Sequence, residues 1–183
     1  MIMHAITAIQ GIALVLLLSA NIGLAADSGS ARGEKVDKDD ADFARAAASG
    51  GMMEVELGKI AQERASNPQV KEFGRRMQTD HSKANDELKK IAAKKDIKLP
   101  SRLEGKQKAT VDKLSKLKGE EFDRAYMAIM VDDHKEDIQK FQRQAEKGED
   151  PDLRKFAKEQ LPILKKHLEL AERTRKQLSS GAK

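Results

Sequence analysis

Two short stretches, "SNPQ" at residues 66–69 and "GEDP" at 148–151, constrain this chain more than any other feature. Each places a residue able to cap a helix, Asn67 or Asp150, directly before a proline. Asn and Asp side chains accept hydrogen bonds from the free N–H groups of a first helical turn, and proline is preorganised for the first helical position. A helix must therefore end and another begin at each stretch, with almost no connection between. The long segments on either side are rich in Ala, Lys, Glu, Leu and Gln, all good helix formers. Each stretch thus predicts the tip of an antiparallel helical hairpin.

The first hairpin is expected to run from Asp39 or Asp40, as cap, through about residue 65, and then from Pro68 to about residue 94. "DIKLPSRLEGK" reads as a loop, followed by a short helical piece over about residues 107–116. Gly119 breaks the chain before the second hairpin, expected over about residues 120–147 and 151–178. Pro162 inside the last helix is expected to kink it or to remove one backbone bond. Apolar residues recur at helical spacing in all four long segments: Phe43, Gly50, Met53, Leu57 and Ile60; Val70, Phe73, Met77 and Leu88; Phe122, Tyr126, Met130 and Phe141; Leu153, Phe156, Gln160 and Leu164. Val70, Phe73, Leu88, Phe122, Phe141, Phe156 and Leu164 are expected to share one core. Gly50, Gly51 and Gly58 sacrifice helix propensity, which predicts close helix contact. The predicted fold is all-α: a ferritin-like four-helix bundle of two helical hairpins with a short extra helix in the crossover.

Residues 1–25 read as a secretory signal peptide, with the apolar run "IALVLLL" and the small residues Gly23 and Ala25 before the expected cut. An uncleaved anchor is the alternative. Residues 26–38 are small and polar and read as a flexible linker, residues 39–178 as the bundle domain and residues 179–183 as a disordered tail. There is no cysteine, so disulfides, thiol catalysis and thiolate metal sites are excluded. The net charge of +5 is spread over 35 basic and 30 acidic residues that alternate closely, the pattern of solvated helix faces. With no tryptophan, one tyrosine and no basic stripe, no nucleic-acid partner is expected. No stable membrane span is expected after cleavage. Basic residues thickening toward Lys176 allow weak contact with anionic envelope surfaces.

Only four histidines occur, and two share one frame: "MQTDH" ending at His81 and "MVDDH" ending at His134, 53 positions apart. Both lie near the edge of an apolar stripe, as does His167. Counting residues from the hairpin tips at 1.5 Å each brings all three to one level, where the first helix offers Glu54, with Glu56 in reserve. The repeated frame is read as a pattern shared by the two hairpins that turns these histidines inward. Asp133 and Asp137 stand one turn apart, and Asp137 falls on the apolar stripe, where a bare carboxylate needs a partner, a proton or a cation. His81, His134, His167, Glu54, Asp133 and Asp137 form a candidate metal set suited to Zn, Fe, Mn or Cu. Met77 and Met130 would give it a softer, copper-like character. The alternative is that these are packing residues paired with nearby acids and carbonyls. Any metal affinity is expected to fall below about pH 6.5, the ordinary histidine pKa.

No Gly-rich phosphate loop, G-x-S-x-G or H-E-x-x-H occurs. The Glu-x-x-His signature of di-iron bundles is also missing, since Gln78, Val131 and Leu164 stand three residues before the histidines. "GGMMEVELGKIA", "MQTDHSKANDEL", "FDRAYMAIMVDDH" and "LPILKKHLELAE" resemble segments of the exported bacterial family known as domain of unknown function 4142, over about residues 39–177. That resemblance implies a ferritin-like bundle in the periplasm or outside the cell, and no established activity. Three roles remain: a periplasmic or secreted bundle with a stress, envelope or metal-handling role that binds a metal; a structural or partner-binding bundle; and, least favoured, a metal-dependent oxidoreductase. If the N-terminal reading is right, protein recovered from its native host has an intact mass beginning at Ala26. A full-length mass overturns it.

Overall fold

The computed structural model describes residues 36–180. Residues 1–25, expected as a signal peptide, most of the expected linker and residues 181–183 lie outside the described residues. Five helices follow in order: α1 (Lys38–Arg64), α2 (Pro68–Lys94), α3 (Gly105–Leu114), α4 (Gly119–Lys147) and α5 (Pro151–Ser180). Among the described residues there is no strand, and no helix is long and apolar enough to cross a membrane. The fold is the all-α, ferritin-like bundle that the sequence predicts.

Both tip motifs work as capping chemistry dictates. Asn67 Oδ1 accepts the Gln69 N–H at 2.8 Å, and Asp150 Oδ1 accepts those of Asp152 and Leu153 at 3.0 Å each. At the start of α1 the cap is Asp37, whose Oδ1 accepts from the Asp39 N–H at 2.7 Å, rather than Asp39 or Asp40. α5 runs two residues beyond its expected end and passes through Pro162 as one continuous helix; the ring is exposed.

Asp40 is instead a clamp. Buried to 1% exposure, it accepts from Gln144 Nε2 at 2.6 Å and from the Asp150 N–H at 2.6 Å, tying the start of α1 to the α4–α5 tip. Asp123, equally buried near the start of α4, does the same to the other tip. It accepts from Ser66 Oγ at 2.6 Å and from the Asn67 N–H at 2.9 Å. Asp40 and Asp123 stand 83 positions apart, as do Asn67 and Asp150, Pro68 and Pro151, and Phe73 and Phe156. The two hairpins are therefore equivalent units, α1 matching α4 and α2 matching α5. Each clamp joins the start of one helix to the end of its counterpart, so α1 and α4 are antiparallel. The chain must then travel the length of the bundle, roughly 40 Å for 27 helical residues, between α2 and α4. The segment carrying α3 makes that crossing. This register corrects the reading of the repeated "DH" frame: at 53 positions it compares α2 with α4, which are not equivalent helices.

Packing is densest within each hairpin. The seven expected core residues are all buried, but they do not share one core. Val70, Phe73 and Phe122 pack with Leu57, Met77 and Tyr126 toward one end. Leu88, Phe141, Phe156 and Leu164 pack with Ala44 and Leu153 toward the other. Between the two lies a buried polar layer.

The small residues set the α1–α2 spacing. A Cβ on Gly58 would lie 2.5 Å from the Gly74 carbonyl oxygen, and one on Gly51 would lie 2.3 Å from Asn85 Oδ1. Gly50 is different: its Cβ would meet only Asp137 Oδ2, at an ordinary 3.6 Å. Gly58→Ala should therefore lose about 1–3 kcal/mol through forced helix separation, although alanine is the better helix former. Gly50→Ala should gain roughly 0.5–1 kcal/mol. Urea unfolding of the two variants measures both signs.

Candidate metal centre

The polar layer is built by helical periodicity. His81 follows Met77 by four residues and precedes Leu88 by seven; His134 stands in the same relation to Met130 and Phe141; His167 lies between Leu164 and Ala171. All of these flanking residues are buried, so each imidazole occupies a core position. On α1, Glu54 lies between Gly51 and Leu57, both buried. The buried face of α1 includes Gly50, Met53 and Leu57 of the expected stripe and widens through Ala44, Ala48, Gly51, Glu54, Gly58 and Ala61, while Phe43 and Ile60 are only partly buried. Glu54 consequently sits within that face rather than at its edge. His134 is 0% exposed, Glu54 and His167 1%, and His81 7%.

The three imidazoles converge. One ring nitrogen from each lies within 4.8 Å of the other two, and the ring centroids are 5.4–5.7 Å apart. Their hydrogen-bond partners determine which nitrogen is bare. His134 Nδ1 lies 2.9 Å from the Met130 carbonyl oxygen, which can only accept, so Nδ1 carries the hydrogen and Nε2 keeps its lone pair. His167 Nε2 donates to Asp80 Oδ2 at 2.9 Å, leaving Nδ1 bare. His81 Nδ1 lies 2.8 Å from Glu54 Oε2, and its Nε2 has no partner among the described residues. His134 Nε2 and His167 Nδ1 face each other at 3.4 Å, two lone pairs with no hydrogen between them. Glu54 Oε1, also without a hydrogen-bond partner among the described residues, lies 3.4 Å from the same His134 Nε2. A cavity of about 20 Å³, room for one water-sized sphere, is lined by Glu54, His81, His167 and Asp80.

Burial makes charge expensive here. Desolvation pushes each histidine down to about 4, partly offset at His134 by the Glu54 carboxylate and at His81 by Asp137 and Asp80. It pushes Glu54 up to about 8, against the opposing pull of His134. Asp133 rises to about 9, through burial first and then the charges of Glu54 and Asp137. Burial therefore favours the neutral forms, bare imidazoles and protonated Glu54 and Asp133. Tyr126, buried beside this layer with its hydroxyl unpartnered among the described residues, is raised by desolvation and then by Glu54, and keeps its proton.

Of the six residues expected as ligands, His81, His134, His167 and Glu54 come together, and Asp133 joins Glu54 and His134 in a second group within 4.8 Å. Asp137 belongs to neither group. Its Oδ1 is held at 2.9 Å by Lys140, one turn further along α4, which satisfies the carboxylate without a metal. Glu56 is tied at the surface to Lys59, 3.3 Å away. Met130 contributes its backbone carbonyl, and Met77 lies in the apolar cluster. Asp80, which orients His167 across 87 residues of chain, escaped the sequence reading. Its one signal is adjacency to His81 on a half-buried helix edge.

These values also give the metal-free protein a pH dependence of stability. Glu54 and Asp133 are raised on folding, so the folded chain holds two protons that the unfolded chain releases above its ordinary carboxyl values of 4.5 and 3.8. The histidines are lowered from 6.5, so the unfolded chain holds three protons that the folded chain refuses down to about pH 4. From pH 6.5 to 8 only the carboxyls act, and stability falls as pH rises, by up to about 1.4 kcal/mol per pH unit for each proton. From pH 6.5 down to about 4.5 the balance is one proton the other way, so stability falls more gently with acid. Metal-free protein should be most stable near pH 6.5. Urea titrations at several pH values check it; a stability that rises from pH 7 to 8 contradicts the assignment.

The chain was compared with known proteins. A crystal structure of a DUF305 fragment from Deinococcus radiodurans superimposes with a TM-score of 0.69 at 12% identity, covering 79% of this chain and 99% of that one. At that identity the likeness is one of fold. No protein of curated function matches the chain. A family model described as a domain of unknown function, DUF4142, matches residues 25–174. The clamps, the first hairpin, most of the second and all three converging histidines fall within that span, and the chain belongs to the DUF4142 family.

Proposed function

We propose that this bundle holds one divalent transition-metal ion at mid-height, on His81, His134 and His167 with Glu54 beside them, and that it acts outside the cytoplasm as a metal-handling protein rather than an enzyme. One observation carries the reading. Each of the three imidazoles has one nitrogen partnered by Glu54, the Met130 carbonyl or Asp80; His134 and His167 turn their bare nitrogens toward each other, and one nitrogen of His81 lies within 4.8 Å of both. That is how histidines are oriented around an ion, since the outer hydrogen bond fixes both tautomer and ring angle. Ordinary core histidines would gain more by bonding each other than by facing lone pairs at 3.4 Å. Three nitrogens and a carboxylate oxygen suit Zn²⁺ and Cu²⁺ better than Mg²⁺ or Ca²⁺. The apolar, uncharged segment within residues 1–25 supports export.

No enzyme motif accompanies the site, and apolar side chains close it above and below. Nothing in this arrangement positions a second reactant, so retention of an ion is the role it fits.

Calorimetric titration of chelator-stripped protein with Zn²⁺ at pH 7 should give one-to-one binding tighter than about 10 μM, roughly 7 kcal/mol. Glu54 must lose its proton to face the ion, so the apparent enthalpy should change with buffer ionisation heat. Asp80→Asn, which leaves all three nitrogens in place but loosens His167, should weaken binding about 10- to 100-fold. A folded His81→Ala, His134→Ala, His167→Ala variant should not bind. Binding weaker than about 10 μM in the parent, or equal binding in the triple variant, would make the layer a packing device.

A further inference from the structure

The imidazole group does not use Asp133, yet Asp133 belongs to the same buried layer. One carboxylate oxygen each from Glu54 and Asp133 and one ring nitrogen of His134 lie within 4.8 Å of one another. Glu54 is 1% exposed, and its Oε1 has no hydrogen-bond partner among the described residues; neither has the buried Asp133 Oδ2. The nearest cation, Lys140, is committed to Asp137 at 2.9 Å. Two buried carboxyl oxygens beside a histidine, with nothing between them, leave strong acceptor capacity unused.

Asp133 also opens outward. A cleft of about 310 Å³ between α1, α3 and α4 is lined by Asp132, Asp133, Glu136 and Asp137, with Lys106 from α3 and Lys140 from α4. On the opposite face, between α2 and α5, the way to the imidazoles is occupied by the Asp80–His167 hydrogen bond. The acid-lined cleft therefore reaches Asp133, while a separate cleft of about 460 Å³ between α2 and α5 reaches Asp80 and His167.

We infer that Glu54, Asp133 and His134 form a second, oxygen-rich cation position, reached from the α1/α3/α4 cleft, that takes a hard divalent ion such as Mn²⁺ and alternates with the imidazole position. The inference rests on the metal-holding reading of the three histidines. Alternation follows from hydrogen bonding: His134 Nδ1 is spent on Met130, so Nε2 alone must serve both positions, with Glu54 Oε1 and His167 Nδ1 each 3.4 Å from it. Ligand type then sorts the ions, because carboxylates suit Mn²⁺ and imidazoles suit Zn²⁺.

The test uses chelator-stripped full-length protein, with Mn²⁺ followed by electron paramagnetic resonance and Zn²⁺ by calorimetry. The parent is set beside Asp133→Asn and a His81→Gln, His167→Gln pair, and circular dichroism checks each fold. Asp133→Asn should weaken Mn²⁺ at least about tenfold while changing Zn²⁺ less than about threefold; the histidine pair should do the reverse. One equivalent of Zn²⁺ should release Mn²⁺ from the parent. If Asp133→Asn weakens both ions equally, if Mn²⁺ is lost with the two histidines, or if both ions bind together, the second position is overturned. A parent that binds Zn²⁺ but no Mn²⁺ overturns the second position and leaves the metal-holding reading intact. A parent that binds neither overturns both. Should the histidine pair fail to fold, release of Mn²⁺ by Zn²⁺ in the parent and the Asp133→Asn contrast still decide.

Discussion

The arrangement of this bundle turns on the burial of Glu54 among three histidines at the middle of four helices. An ionised carboxylate in such a place would lose its hydration without regaining it, a penalty of several kcal/mol. Burial favours the neutral forms of these groups, and one nitrogen of each imidazole has a partner in Glu54, the Met130 carbonyl or Asp80. What remains unsatisfied is the inward set of lone pairs, which a proton on Glu54 or a cation can share.

The layer depends in turn on the two clamps. Asp40 and Asp123 each fasten one hairpin's tip to the other hairpin, so the register between hairpins is set at both ends rather than by the middle. Buried carboxylates accepting backbone N–H groups are specific in a way apolar packing is not, because sliding a helix by one residue would orphan both partners. With the ends fixed, side chains at mid-height can be chosen for chemistry.

The near-twofold relation between hairpins shows how that choice was used. The counterpart of His134 is Gly51, that of His167 is Ala84, that of His81 is Leu164, and that of Glu54 is Asp137. Every imidazole in the layer therefore faces a small or apolar residue at its equivalent place. Gly51 leaves the space that Asn85 occupies, and a Cβ there would collide with it. A symmetric scaffold thus carries an asymmetric site, with room for three rings where six would not fit. Asp137 shows the same divergence: its counterpart Glu54 faces the interior without a cation, whereas Asp137 has Lys140 one turn away.

The sequence by itself determined what is local. Caps and prolines set the helix starts, apolar spacing set which face is buried, and residue counts from the tips brought Glu54 and the three histidines to one level. Each of these follows from the regular rise and turn of a helix, which carries over from one residue to the next. Only the tertiary structure decided what crosses between helices: that Asp80 holds His167, that Asp137 turns to Lys140, that Asp40 clamps a distant tip, and that the polar layer divides the core in two. It also moved the histidines down and the carboxyls up from their ordinary values, because desolvation depends on everything packed around a group. Helical periodicity says which way a side chain points, but its partner and its protonation state depend on neighbours brought from far along the chain.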